Sequence, residues 1–469
     1  MPVPAGSTPP APPSSGPLYY DPVLSRVRLA APVKVVVDAF GRTVFPGWGP
    51  ADSGHVWTTA GGDPNDYGVN GTKGYIGVTS VNVWHDSRLA VGFADMRIVA
   101  SHVQTTVTPT GAQAEVSLRI RDTGTDYIEC RLFPSTSNTV TINLVQMRGG
   151  VETLTGFPTV PGVNANSPLS VEVDAQGPVL RARAWLEGSV PPVGWQVQLT
   201  ATHLAAGDFA FRCKLAAGNS NTLPLFVELD GLTITPSVTV ERSTDQIVWS
   251  TVRGGAALTP VADEVRLDDY EFTPDVTNYY RVGALFTGSI VPDLGGVVWL
   301  KSLARPYLNQ QVTVRDYSEV TRRARAGVFE VVGRSVPVAV TDVRGSRQWS
   351  LDVNTYSARE RSDLDMLLAS GDILLVHVPA SGRVSATPGG YVTVGDTREV
   401  TPPTSDLAMR VFSLPCVEVA APGPDVLGAT ITCQGVLDMY ATCAALLAAH
   451  PTCLSVLELI GDPTDVIVS

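Results

Sequence analysis

The chain has 469 residues, 44% of them hydrophobic, and a formal net charge of −12. That hydrophobic share excludes wholesale disorder, and the acidic balance argues against nucleic-acid binding, which needs a basic face to displace counterions. With Gly 43 and Pro 36 beside many Val and Thr, the composition favours turn-rich β structure, in about three or four domains for this length.

Residues 1–20 open with Met1-Pro2-Val3-Pro4 and stay rich in Pro, Ser and Gly, which reads as a flexible arm without the regions of a signal peptide. Val23-Leu24-Ser25-Arg26-Val27-Arg28-Leu29 alternates as one strand should. From Val35 to about Thr235 runs a series of strand-like segments divided by Gly, Asn, Asp and Pro. Segment 115–120 turns Val116, Leu118 and Ile120 inward, and segments 127–133, 140–146, 179–185 and 195–200 follow. Nothing there has helical length and period, so the block reads as an all-β sandwich. Cys130 shares a strand face with Ile128 and Leu132, and Cys213 with Phe209, Phe211 and Leu215. Both read as core thiols, free or paired with each other.

A second β unit starts near Ser237: Val238 and Val240, a turn at Ser243-Thr244-Asp245, a strand at Ile247-Val248-Trp249, then Asp268 to Phe272 and Tyr279 to Val282. It is one strand short of an immunoglobulin-type sandwich, and the lone strand at 21–31 is the natural missing edge. The large β block is then an insertion in a split domain, tolerated where the two ends of a loop stay close. From Trp299 the pattern changes again. Trp349, Leu351 and Val353 alternate on a strand. Ser357 and Glu360 form a capping box ahead of Leu364, Leu367 and Leu368, with a stop at Gly371. Segments 373–378, 389–400 and 409–419 complete a mixed sheet.

Three ten-residue units close the chain, beginning at Thr432-Cys433, Thr442-Cys443 and Thr452-Cys453, with Val436-Leu437, Leu446-Leu447 and Val456-Leu457 at matching offsets. Each places Cys, Val/Leu and Leu at i, i+3 and i+4 on one helix face, with Thr as the cap. Such short helices need a surface to lie on. Nine residues separate each Cys from the next, which suits packing better than a zinc site.

Catalytic signatures are missing: there is no G-x-S-x-G, H-E-x-x-H or phosphate-binding glycine loop. Asp122-Thr123-Gly124 matches the aspartic-protease triplet, but Arg121 precedes it and no second copy exists, so a hairpin turn is the better reading. The six histidines (His55, His85, His102, His203, His377, His450) are scattered. Arg322, Arg323 and Arg325 read as a solvated loop or a subunit contact. Asp63, Asn65 and Asp66 have calcium-type oxygens but the composition of plain turns. Trp48, Trp57, Trp84, Trp185 and Trp195 offer flat faces to sugar rings, yet strand aromatics are more often core. Trp84-His85-Asp86 is the least core-like of these sites.

Several stretches resemble known phage modules. Asp38-Ala39-Phe40-Gly41-Arg42-Thr43, Gly47-Trp48-Gly49 and Trp57-Thr58 look like the opening of concanavalin-like (laminin-G-type) jelly rolls, and Asp126-Tyr127-Ile128, Gly149-Gly150-Val151-Glu152 and Ala184-Trp185 continue the likeness. Asp21 to Arg28, Val240 to Asp245, Leu267 to Phe272 and Tyr279 to Val282 resemble the immunoglobulin-like module of actinobacteriophage (siphophage) minor tail proteins. Residues 348–419 are similar to domains related to distal tail proteins and the tail tube. The closing units resemble that family's C-terminal Thr-Trp-x-x-(Val/Leu)-Leu repeats, with Cys in place of Trp.

The resemblance implies a mainly β, multidomain chain: a jelly-roll β-sandwich inserted in an immunoglobulin-like sandwich, then an α+β tail-tube-like domain and a short helical C-terminal tail. Its expected boundaries are a flexible arm at 1–20, a split immunoglobulin/fibronectin-III-like domain at 21–32 plus 236–297, and the jelly roll at 33–235. The distal-tail-like domain follows at 298–420, then a linker and repeats at 421–469. The expected function is a non-enzymatic structural minor tail protein at the tail tip of a long-tailed bacteriophage. It would sit in the virion, assemble in the host cytoplasm and present a lectin-like domain for cell-wall adsorption. Expected partners are other tail-tip proteins, further copies in three- or six-fold symmetry, and host cell-wall glycan. Nucleic acid, a membrane span, cofactors, metals and catalytic residues are not expected, and no glycan-binding residue is nominated. The alternatives are a dedicated carbohydrate-binding protein and a cell-wall glycoside hydrolase.

Overall fold

The computed structural model describes residues 18–108, 114–283, 285–401, 408–423, 440 and 442–449. The chain is mainly β and divides into two compact units, one holding 32–239 and 257–265, the other holding the segments up to 31, 240–256 and from 266 on.

The first unit is a jelly-roll sandwich of a seven-stranded and a ten-stranded sheet. The seven-stranded sheet runs Val151–Leu154, Val140–Arg148, Tyr127–Pro134, Ala114–Asp122, Gly207–Leu215, His85–Phe93, Trp57–Ala60, antiparallel throughout. Strict alternation explains it: Val116, Leu118 and Ile120 face the core as expected, beside Ile128 and Leu132 of one neighbour and Phe209 and Phe211 of the other. Cys130 and Cys213 are both buried and both free. They stand on the two strands flanking 114–122, opposite Leu118 and Val116. Strands two apart are separated by about 9–10 Å, beyond disulfide reach. Burial pushes the Cys130 thiol up to about 12.

Trp48 and Trp57 are core residues. Their rings meet edge to face at 4.8 Å, and Trp48 meets Phe40 at 5.3 Å. Each indole N–H is satisfied, Trp48 on the Tyr75 carbonyl at 3.0 Å and Trp57 on Asp38 at 2.7 Å. Gly74 allows this packing, since a Cβ there would sit 2.7 Å from the Phe40 ring. Arg121, fully buried and at φ 49°, donates to the carbonyls of Ala94, Gly177 and His203 and to Asp95. Four hydrogen bonds hold a backbone geometry that L residues avoid.

Leu18–Asp21, Arg26–Pro32 and Glu264–Asp269, which belong to the second unit but for residues 32, 264 and 265, form one small sheet, and within that unit Ser250–Thr251, Val240–Ser243, Asn278–Val282 and Leu285–Ile290 form another. Arg26 and Arg28 tie the first sheet together through Asp268, at 2.7 and 2.9 Å. Two sequence readings are corrected here. The strand expected at 23–29 begins only at Arg26 and is the second arm of a hairpin with Leu18–Asp21, because Asp21 Oδ1 accepts from Val23 N at 2.9 Å and Ser25 turns left-handed in the link between them. Ile247-Val248-Trp249 is no strand: Asp245 Oδ1 accepts from Ile247 N and Val248 N at 2.8 and 2.9 Å, taking the donors a ladder would need.

The same unit contains a closed six-stranded barrel. Val298–Ser302 pairs with Gln310–Tyr317 and Leu374–His377; Gly390–Val394 joins 374–377 to Arg410–Glu418; and 410–418 closes the ring on Arg347–Thr355, which pairs back with 310–317. Every ladder is antiparallel, where the sequence reading expects a mixed sheet. Trp349, Leu351 and Val353 fill the interior with Leu300, Val376, Phe412 and Leu414. The helix Ala358–Ala369 starts where Ser357 accepts from Glu360 N, buries Leu364 and Leu367, and stops before Gly371 at φ 69°. On the outer barrel wall Lys301 is fully buried, donating to the carbonyls of Ser25 at 2.6 Å and Tyr270 at 3.0 Å, over the Phe272 ring. Burial pushes its ammonium well below the ordinary lysine range, with Asp269 and Glu271 partly restoring it.

Of the closing repeats, the middle one is a helix over Cys443–Ala449, with Thr442 Oγ1 accepting from Ala445 N at 3.1 Å as a cap. Cys443 is exposed. The units beginning at 432 and 452, with His450, lie outside the described residues.

Candidate functional site

Alternation that buries one face of the seven-stranded sheet sends charged residues to the other. On that outer face Glu129, fully buried, accepts from Arg119 at 2.8 Å and Arg212 at 2.7 Å through Oε1, and from Arg131 at 2.7 Å through Oε2. Asp86 accepts from Arg212 at 2.8 Å and Arg88 at 2.6 Å. Arg131 extends the lattice to Glu152 at 2.6 Å and Glu115 at 3.0 Å. Beneath it the side chains of Ser117 and Asn143 are buried with unpaired polar atoms.

Aromatic rings sit on this lattice. Trp84 packs under Arg212 at 3.8 Å and Lys214 at 4.5 Å, and Arg119 lies 3.5 Å over Tyr127. Phe133 and Phe157 meet at 5.9 Å. Next to them is a cleft of about 420 Å³ lined by Asn82, Glu115, Phe133, Ser135, Thr136 and Lys214. An apolar ring with a carboxylate, an amine and hydroxyls around it suits a polyhydroxylated ligand. Burial raises the Glu115 carboxyl, while Arg131 and Lys214 pull it back down.

The residues singled out in the sequence scatter across this unit. Trp84-His85-Asp86 splits: Trp84 is half-buried on the outer face, His85 turns inward to Asp66 at 3.0 Å, and Asp86 joins the lattice. Asp122-Thr123-Gly124 is a hairpin turn, with Gly124 N donating to Asp122 at 2.8 Å. Asp63 and Asp66 are consumed in a capped 3-10 turn over Pro64–Asp66. No group of three or more His, Cys, Asp or Glu side chains placed to hold a metal ion occurs among the described residues. Trp185 and Trp195 are half-buried against Arg183. Sequence reasoning missed the arginine–carboxylate lattice. Its signal was the run of charges at outward positions, Glu115 and Arg119, Glu129 and Arg131, Arg212 and Lys214.

One carboxyl pair does emerge. Asp208 stands directly across from Asp122, and burial together with the Asp122 charge raises it, with Arg88 opposing.

The barrel carries a second notable surface. Between strands 310–317 and 347–355 the chain leaves the wall as a hairpin, Ala326–Phe329 paired with Val338–Thr341. From Ser318 to Arg344 every residue except Gly327 is exposed. Phe329 lies across from Val338 and Val340 across from Gly327, so the three apolar side chains share one face, at 58%, 40% and 63% exposure. Arg322, Arg323, Arg325, Arg334 and Arg344 outnumber Glu319, Glu330 and Asp342 on this arm.

No protein-family model and no curated protein matches the chain. Among solved structures, the VIP36 exoplasmic/lumenal domain with bound calcium and Man2 is 10% identical, covering 42% of this chain and 88% of its own, at TM-score 0.31. The Bacillus licheniformis beta-glucanase is 14% identical, covering 43% and 97%, at 0.30. The CBM2 module of the Lactobacillus casei BL23 phage J-1 evolved Dit is 12% identical, covering 44% and 96%, at 0.31. At these identities and scores, none of the likenesses bears on function.

Proposed function

We propose that this chain is a structural minor tail protein at the tail tip of a long-tailed phage, with the barrel building the ring and the jelly roll displayed for weak, multivalent adsorption to cell-wall glycan. The observation that carries the reading is the exposed arm on a closed barrel. A closed barrel has no free edge of its own, so an extended apolar hairpin is where it can gain contact. The occupant is the next copy of the chain. The arm's arginine excess faces a smaller acid excess on the barrel's helix, where the exposed Glu360, Asp363 and Asp365 outnumber Arg359 and Arg361. Symmetric repetition then closes a ring of three or six copies and multiplies a modest glycan affinity.

Within this reading, residues 21–32 with 236–297 are the split immunoglobulin-like module, 33–235 the inserted jelly roll, 298–420 the ring domain and 421–469 the terminal clamp. The cleft at Phe133, Glu115 and Lys214 is the proposed glycan contact, and other tail-tip proteins are the remaining partners. Carboxylates locked against arginines support binding rather than hydrolysis, since Glu129 and Asp86 have no oxygen without a guanidinium partner. Analytical ultracentrifugation of the full chain tests the ring: the wild type should sediment as a closed oligomer, and replacement of Phe329, Val338 and Val340 by Ser should leave a folded monomer. A wild type that stays monomeric at high concentration and is absent from virions by mass spectrometry overturns the assignment. Cell-wall pull-down of Phe133→Ala against wild type tests the cleft.

The Asp122–Asp208 pair gives a second reading, a cell-wall glycoside hydrolase. Its mark would be wall-degrading activity that Asp208→Asn abolishes.

A further inference from the structure

The outer face of the ten-stranded sheet carries a different aromatic cluster. Trp185 lies near the end of Val179–Leu186, and Trp195 just precedes Val197–Thr200. The Arg183 guanidinium lies 5.8 Å from the Trp185 ring centre and 4.9 Å from that of Trp195; Arg181 lies 5.0 Å from Trp195. The connecting turn, Gly188-Ser189-Val190-Pro191-Pro192-Val193-Gly194, contains no charged side chain. Val190 is 88% exposed and Val193 is 102% exposed.

The base of this turn is pinned. Ser189 N donates to the Leu186 carbonyl at 3.0 Å and Gln196 N to that of Ala182 at 3.1 Å. The Gln196 side chain accepts from Ala184 N at 2.9 Å and donates to Ala184 O at 3.0 Å. Arg183 donates to the Pro192 carbonyl. Two adjacent prolines fix their own φ, so the turn loses little freedom when something covers it. Two valines held in water on such a turn contribute nothing to the core of their own fold.

Charge is layered at the same place. The carboxylates of Glu172 and Asp174 lie inside, their side chains 4% and 12% exposed, and their partners Arg97 and Arg181 lie outside at 58% and 37%. At these two pairs solvent therefore meets guanidiniums over covered acids, while Glu187, immediately before the turn, is half-buried. Aliphatic groups at the turn, indoles at its base and cations beside them match the successive layers of a bilayer surface: acyl chains, interface and phosphate.

We infer that the 188–194 turn is a lipid-docking tip, its valines entering the acyl boundary while Arg97 and Arg181 meet anionic headgroups. A glycan fits this turn less well, because sugars stack on flat aromatic faces and the most exposed groups here are branched aliphatics. The inference is independent of the tail-tip reading.

The test is co-sedimentation of the full chain with vesicles of phosphatidylcholine alone and of phosphatidylcholine with phosphatidylglycerol, alongside insoluble cell-wall polysaccharide. The wild type should pellet with the anionic vesicles, and Val190→Ser with Val193→Ser should weaken that by roughly tenfold or more. Both side chains are exposed, so the variant keeps its fold, which circular dichroism checks. Brominated lipid should quench part of the tryptophan emission of the wild type and not of the double variant. Absence of vesicle binding overturns the inference, as does binding that the double variant retains. Loss of polysaccharide binding in that variant, without any vesicle binding, would assign the turn to glycan instead.

Discussion

The outer face of the seven-stranded sheet and the barrel's arm are both sheet surfaces turned away from a core, and they are finished in opposite ways. On the sheet face, side chains that would otherwise need water find one another: Arg119, Arg131 and Arg212 converge on one carboxylate, and guanidiniums lie over the rings of Trp84 and Tyr127. On the arm, Phe329, Val338 and Val340 have nothing over them. Apart from the buried, unpaired polar atoms of Ser117 and Asn143, the charges of that face are matched within a single molecule. An uncovered apolar hairpin is complete only in company.

That contrast makes separable predictions. The largest effect belongs to the lattice. Glu129→Ala leaves buried guanidiniums without their shared carboxylate and should cost about 3–5 kcal/mol in chemical denaturation of the first unit, with no change in oligomeric state. Next comes pH. His377 is buried with Nε2 on the Phe272 carbonyl at 2.9 Å, and burial, reinforced by the Lys301 charge, holds it well below the ordinary 6.5. The folded state thus binds its proton later than the unfolded state. Its stabilisation is complete above pH 6.5 and is lost as pH falls below that value, with a limiting slope of about 1.4 kcal/mol per pH unit. Thermal unfolding of the second unit between pH 7 and 5 should show this, and His377→Gln should flatten it.

A smaller effect is expected from Ser357→Ala, which removes the cap on Glu360 N and should cost about 1 kcal/mol. Smallest in stability is Val340→Ser on the arm, expected within about 0.5 kcal/mol of wild type, yet weakening self-association in sedimentation. If Glu129→Ala disrupted assembly while Val340→Ser disrupted only folding, the contrast between the two surfaces would be reversed.

The elements that alternate strictly were legible from sequence. Val116, Leu118 and Ile120, and again Trp349, Leu351 and Val353, face the cores that their period assigns. So was the capped start at Ser357, whose signal is local. Ile247-Val248-Trp249 has the right residues for a strand, but Asp245 captures the backbone donors first. The lattice escaped because ion pairing across strands depends on register: Arg212 meets Glu129 over a separation of 83 residues. Barrel closure left no local trace either, since Leu351 pairs with Leu414 far along the chain. The Asp122–Asp208 pair, across two non-consecutive strands, was hidden for the same reason.

Closure of the barrel also sets an order of events during synthesis. Strand 410–418 is the piece that joins 390–394 to 347–355, and it emerges after every other member of the ring. Until it arrives, the arm has already been made while two wall strands still show unpaired backbone. A nascent or broken chain lacking this strand therefore offers sticky edges rather than a finished building block. The last strand acts as a quality gate: only a chain translated past Glu418 can present its arm from a sealed barrel.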